Sequence, residues 1–207
     1  MVSQSERVYP GDELIAHAPF ETTWSAEIDR PASDVWPWLL QMGYQRAGWY
    51  IDAWWDKAIN KHFWPKIVAE EHRAEHFASL DHLDETLEVL HEGDIVPDGP
   101  PGSAWFTVAR LDPDRALVLL SDRHIKLMTP KRLQNSSFAT HGEFSWAFVL
   151  DNLSNSRCRL TIRTRATMTP KAVASVAVPL LKLVDRVFVK AMLRGIKSRV
   201  EGRTRGS

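Results

Sequence analysis

From Thr22 to Asp29 the chain alternates, with Trp24, Ala26 and Ile28 on one side and Thr23, Ser25, Glu27 and Asp29 on the other. A period of two predicts a strand with one buried face. After Arg30-Pro31 the period lengthens: Val35, Trp36, Leu39, Leu40 and Met42 recur at helical spacing, with Pro31 and Asp34 near the start and Gly43 at the end. This predicts a short helix. Residues 50–63 and 66–78 predict two more, separated by Pro65, and Pro97-Asp98-Gly99-Pro100-Pro101-Gly102 predicts an exposed turn. Strand patterns over Ala104–Leu111 and Ala116–Ser121 flank Asp112-Pro113-Asp114, and those over Glu143–Leu150 and Arg157–Ala166 flank residues 151–155. Two hairpins are expected, joined by an irregular loop over 122–142. In the last strand Arg157, Arg159, Arg163 and Arg165 share one face and Cys158, Leu160, Ile162 and Thr164 the other, which predicts a sheet wetted on one side only.

From Lys171 to about Glu201 the pattern is helical, with a stripe of Val173, Val176, Ala177, Leu180, Leu181, Val184, Val187, Phe188, Ala191 and Met192. Lys182, Asp185 and Arg186 interrupt that stripe, so the helix lies on something rather than crossing a membrane, and Pro179 predicts a kink or break. The elements predict an α+β chain in which a curved antiparallel sheet wraps a long C-terminal helix. Residues 1–20 read as an arm, 21–201 as one domain and 202–207 as a flexible basic tail.

Composition narrows the function classes. Lys+Arg and Asp+Glu number 26 each, so no basic surplus points to nucleic acid. Charge is unevenly spread all the same: nine carboxylates and one Arg lie between Glu70 and Asp94, and eight Lys/Arg with two carboxylates lie from Lys182 onward. The plain meaning is two solvated faces, although the basic final helix with Arg203 and Arg205 suits transient contact with an anionic membrane surface. Cys158 is the sole cysteine, which excludes an internal disulfide and a cysteine-built zinc site. The N-terminal residues lack a signal-peptide pattern and no apolar run is long enough for a span, so a cytoplasmic protein is expected.

Nine tryptophans are the compositional anomaly, six of them (Trp36, Trp38, Trp49, Trp54, Trp55, Trp64) within 29 residues. Such a cluster marks either an aromatic core or the wall of an amphipathic cavity. Candidate chemistry is sparse. His72-Arg73-Ala74-Glu75-His76 has the spacing of a zinc-binding helix, but it reads first as a solvated helix face. No nucleophile elbow or phosphate loop occurs. Asp52, His124, Arg110 and Glu143 are the side chains available for acid–base work in an apolar pocket, each reading more readily as a surface or loop residue. Cys158 reads as a buried structural thiol, and the arginine row as a solvated sheet face rather than a grip for an anionic partner.

The element order is that of the helix-grip fold, and the strings PASDVWPWLLQMGYQRAGWY (31–50), EGDIVPDGP (92–100), FSWAFVLDNL (144–153) and MLRGIKSRVEGR (192–203) resemble a bacterial branch of the START and polyketide-cyclase-like (SRPBCC) superfamily. The resemblance covers roughly residues 22–201. It implies a deep cavity between sheet and long helix, in a superfamily that mostly binds lipids, sterols, polyketides or other apolar molecules. Cavity-lining candidates on that basis are Trp38, Met42, Trp49, Tyr50, Asp52, Trp54, Trp105, His124, Trp146, Phe148, Val184 and Phe188, with Tyr50, Asp52 or His124 orienting the ligand. Ala53 stands where the branch tends to carry an acid, and residues 57–78 read as an insertion. The expected function is binding or transfer of a small hydrophobic ligand, with no cofactor or metal and no assigned catalytic residue. The first alternative is a cyclase or dehydratase using the same cavity. The second is a protein with a filled interior that acts through its surface.

Overall fold

The structure is a computed structural model and describes residues 7–51, 79–127, 129, 136 and 139–202. The helices expected at 50–63 and 66–78 lie outside the described residues, apart from Tyr50 and Ile51, which are not helical. Among the described residues six strands form one antiparallel sheet: β1 (Phe20–Ile28), β2 (Ile95–Pro97), β3 (Trp105–Asp112), β4 (Ala116–Ser121), β5 (Phe144–Ser154) and β6 (Arg157–Ala166), in the order β1-β6-β5-β4-β3-β2. Helix α1 (Ala32–Leu40) follows β1, α2 (His124–Leu127) follows β4, and α3 (Lys171–Val200) closes the fold. α3 lies against the concave face, so a sheet grips a helix, as the element order predicted.

The register explains how one face becomes apolar. Leu119 of β4 pairs with Trp146 of β5, Trp146 with Thr164 of β6, and Thr164 with Thr22 of β1. The next row runs Leu117, Phe148, Ile162 and Trp24. Because side chains alternate along a strand, these rows share the concave face. There they form one core with Val35 and Leu39 of α1 and with Val189, Met192 and Ile196 of α3.

Three expectations are corrected. β5 runs on to Ser154, through most of the expected turn. Its polar residues have partners there: Arg7 donates to Asp151 at 2.7 Å, and Asn152 accepts the Ala32 N–H at 3.2 Å. Of the kink or break expected at Pro179, the break is absent: α3 continues through it, because both Pro179 and Ser175, whose carbonyl loses its donor, face water. The third concerns the supposedly wet face. Arg157 is exposed and Arg159 half-buried, and both pair with Glu27, but Arg163 and Arg165 are buried. The N-terminal segment covers them, with Tyr9 packing on Ala116, Val118, Ala147 and Val149 and with Asp12 reaching both guanidinium groups.

The apolar stripe of α3 also divides. Ala191 and Met192 are buried, whereas Val173, Val176, Leu180, Val184 and Val187 are exposed. The expectation that the whole stripe packs inward fails for those five, because sheet and helix meet along Ala174, Ala177, Leu181, Asp185 and Phe188, one step around the helix.

Candidate functional site

The concave face carries a continuous group of aromatic rings. Trp146 stacks on Phe106 (centroids 5.3 Å apart) and on Phe188 of α3 (5.7 Å), and it meets Trp49, Phe144 and Phe148 edge-on. His124 lies on Phe106 at 4.3 Å and on Phe144 at 5.2 Å. Trp38 and Tyr50 pack edge to face at 5.7 Å, and Met42 is buried in the same core. The structure thus brings together Trp38, Met42, Trp49, Tyr50, His124, Trp146, Phe148 and Phe188.

Two candidates fall elsewhere. Trp105 alternates with Phe106 onto the other face of the sheet, where the Arg123 guanidinium sits 3.5 Å above its ring. With Thr107, Leu120, Ser121, Asp122 and Glu143 it lines a surface pocket of about 220 Å³. Val184 is half exposed on α3. Asp52 and Trp54, the insertion at 57–78 and His72, Glu75 and His76 lie outside the described residues.

The polar candidates have defined partners. Tyr50 donates its hydroxyl to the Trp38 carbonyl at 2.9 Å, and its N–H reaches Ser79 Oγ at 2.9 Å. Burial pushes the phenol pKa far upward, against the pull of Arg199 and Arg46. Its backbone holds φ at 55°, and Gly195 of α3 passes so close that a Cβ there would lie 1.7 Å from the Tyr50 carbonyl oxygen. Tyr50 is therefore a structural anchor between α1 and α3. His124 pairs with Asp98 Oδ2 through Nε2 at 2.8 Å and with Ser121 Oγ through Nδ1 at 2.7 Å, tying α2 to the 97–102 turn. Arg110 pairs with Asp112 at the surface. Cys158 is buried, and burial, helped by Asp34, pushes its thiol up to about 11, which suits a structural role.

Among the described residues two buried polar atoms in the ring cluster lack hydrogen-bond partners, the indole N–H groups of Trp49 and Trp146. Leaving a buried donor unmet costs about 1–3 kcal/mol, so two around one ring system invite a functional explanation. Beside them stands Asp185 of α3, unlisted among the sequence candidates. Its carboxylate accepts from Thr22 Oγ1 at 2.5 Å and Trp24 Nε1 at 3.1 Å. Burial raises its pKa, and these bonds offset the rise only in part. The signal was present in the sequence, since Asp185 is the one acid among seven Lys/Arg in α3 and interrupts an apolar stripe.

No family model and no curated protein matches the chain. Solved structures similar to it include the hypothetical protein jhp0584 from Helicobacter pylori (14% identity, 96% of this chain and 98% of that one, TM-score 0.46). A conserved protein from Geobacillus kaustophilus follows at 13% identity, covering 88% of this chain and 95% of that one, TM-score 0.45. The di-domain ARO/CYC BexL from the BE-7585A biosynthetic pathway shares 12% identity over 87% of this chain and 46% of that one, TM-score 0.43. The helix-grip architecture stands on this chain's own element order and register: a six-stranded antiparallel sheet closed on one long C-terminal helix.

Proposed function

We propose that the protein binds or transfers a small apolar molecule bearing a hydrogen-bond acceptor, held at the concave aromatic face and oriented by the Trp49 and Trp146 indole N–H groups. The observation that carries this reading is the unmet state of those two buried groups inside a ring cluster. Apolar area supplies the affinity and a few fixed donors the orientation. The rings touch one another, so a ligand enters by parting them, with Phe188 of α3 the ring that must leave Trp146. A cytoplasmic location belongs to this proposal, as it suits a lone buried thiol.

Two other readings each have an observation behind them. Asp185, half-buried and raised in pKa, is the ionisable group that a cyclase or dehydratase on this scaffold would use. The mutual packing of Trp49, Phe106, Trp146 and Phe188 is what a solid core would show, in a protein acting through its surface. Native mass spectrometry of the purified protein separates them. An apolar adduct, retained gently and lost on denaturation, supports the proposal; a bare mass that no apolar carbonyl or lipid panel alters contradicts it.

A further inference from the structure

The N-terminal half of α3 presents an apolar surface that the sheet does not cover. Val173, Val176, Leu180, Leu183, Val184 and Val187 are exposed, Val176 at 78%, Leu180 at 64% and Leu183 at 59%. Their spacing places them on one strip about four turns long. Single exposed aliphatics are ordinary, but a contiguous strip of six marks an interaction surface.

Charge selects among partners. α3 carries Lys171, Lys182, Arg186, Lys190, Arg194, Lys197 and Arg199 against one acid, and that acid, Asp185, turns inward to Thr22 and Trp24. Lys182, Arg186, Lys190 and Arg194 form an i, i+4 row alongside the apolar strip. The chain as a whole has no net charge, so the cationic helix is a local feature. A second copy laid on this strip would bring two such rows together, with like charges opposed and no exposed acid from either helix to answer them. An anionic bilayer surface answers both features: acyl chains take the aliphatic strip and phosphate head groups take the long basic side chains, whose stems lie along apolar surface.

We infer that α3 docks the protein on anionic lipid bilayers through Val173, Val176, Leu180, Leu183, Val184 and Val187, with Lys182, Arg186, Lys190 and Arg194 at the head-group level. Docking requires no insertion of a span, and no helix among the described residues is long and apolar enough to cross a membrane. The inference stands apart from the ligand-binding proposal, since none of these residues belongs to the concave ring cluster.

The test is co-sedimentation of the full chain with vesicles of phosphatidylcholine alone and of phosphatidylcholine with 30% phosphatidylglycerol, the latter fraction being a choice of about one anionic lipid in three that gives a strong surface potential. The wild type is expected to partition at least about tenfold more strongly onto the anionic vesicles at low salt, with the preference falling as salt rises. Val176→Glu with Leu180→Glu should abolish pelleting, and Lys182→Glu with Lys190→Glu should remove the anionic preference. All four positions are solvent-facing or partly so, and circular dichroism confirms that each variant is folded. Equal binding to both vesicle types, or none to either, overturns the inference. So does a wild-type dimer in light scattering that Val176→Glu with Leu180→Glu converts to monomer, since the strip would then be a contact between copies.

Discussion

Two clusters of buried polar groups, on opposite faces of one sheet, are treated in opposite ways. On the convex face Arg163 and Arg165, each about nine-tenths buried, meet Asp12 at 3.0 and 3.1 Å and Glu21 at 2.9 Å, and Arg163 also donates to Thr23 Oγ1. Arg165 further donates to the carbonyls of Ile15 and Ala16. Those charges are answered from within the chain. On the concave face Trp49 and Trp146 bring indole donors into a buried place and find no acceptor among the described residues. A network closed on itself holds structure, whereas an open one holds a place for something that arrives from outside.

The strongest way to break the concave side is Gly195→Ala, because the added Cβ would collide with the Tyr50 carbonyl, a backbone atom that cannot swing aside. A loss of about 3 kcal/mol or more is expected in denaturant titration, with the anchor between α1 and α3 released. The convex face breaks next. Asp12→Ala removes one of the two carboxylates that answer the buried Arg163 and Arg165, leaving Glu21 alone with both, and should cost about 2–3 kcal/mol while leaving ligand binding at the concave face intact. Ligand affinity that falls in step with stability in this variant would show that the two faces are not independent.

The same contrast appears in the pH dependence of stability. Burial alone would raise the Asp12 pKa, but the Arg163 bond, the Tyr9 N–H and the charges of Arg163 and Arg165 outweigh it and hold the carboxyl below its ordinary value. Its contribution is therefore present above the ordinary carboxylate range and disappears as pH falls below it. Asp185 runs the other way. With its folded pKa raised, it favours the fold fully at low pH and loses that contribution as pH climbs above the ordinary range. Asp185→Asn keeps an acceptor for Thr22 and Trp24 and should flatten the decline between acid and neutral pH in thermal melts. An unchanged slope would mean that Asp185 is not the group responsible. The smallest effect is that of Thr164→Val, which removes a hydroxyl bonded to Asp185 at nearly constant shape, so stability should fall by about 1 kcal/mol in denaturant titration.

Much of this fold was legible in the sequence because period reports burial directly. The alternation at Trp24, Ala26 and Ile28, the two hairpin patterns and the terminal helix all correspond to observed elements. Period could not show what covers a face. The arginine row reads as wet until the N-terminal segment is placed over Arg163 and Arg165, and the stripe of α3 reads as buried until the sheet proves to take only its Ala177, Leu181 and Phe188 side. At the site, aromatic residues were readable as a cluster, since Trp146 and Phe148 share a strand face and Trp49 lies near Tyr50 in sequence. Asp185 stood out as the one acid of α3, but its partners Thr22, Trp24 and Thr164 did not, because they come from cross-strand register and from a helix laid across it. Trp105 misled because one residue of offset from Phe106 moves a side chain to the opposite face.

The central claim is that the Trp49 and Trp146 indole N–H groups await an acceptor. The most direct measurement is a proton–nitrogen NMR spectrum of the indole groups, assigned with Trp49→Phe and Trp146→Phe, during titration with 2-acetylnaphthalene and with naphthalene as the hydrocarbon control. The account predicts that the Trp49 and Trp146 indole resonances move downfield with the ketone and not with the hydrocarbon. Indole resonances that ignore both compounds, or that respond to both alike, would contradict it.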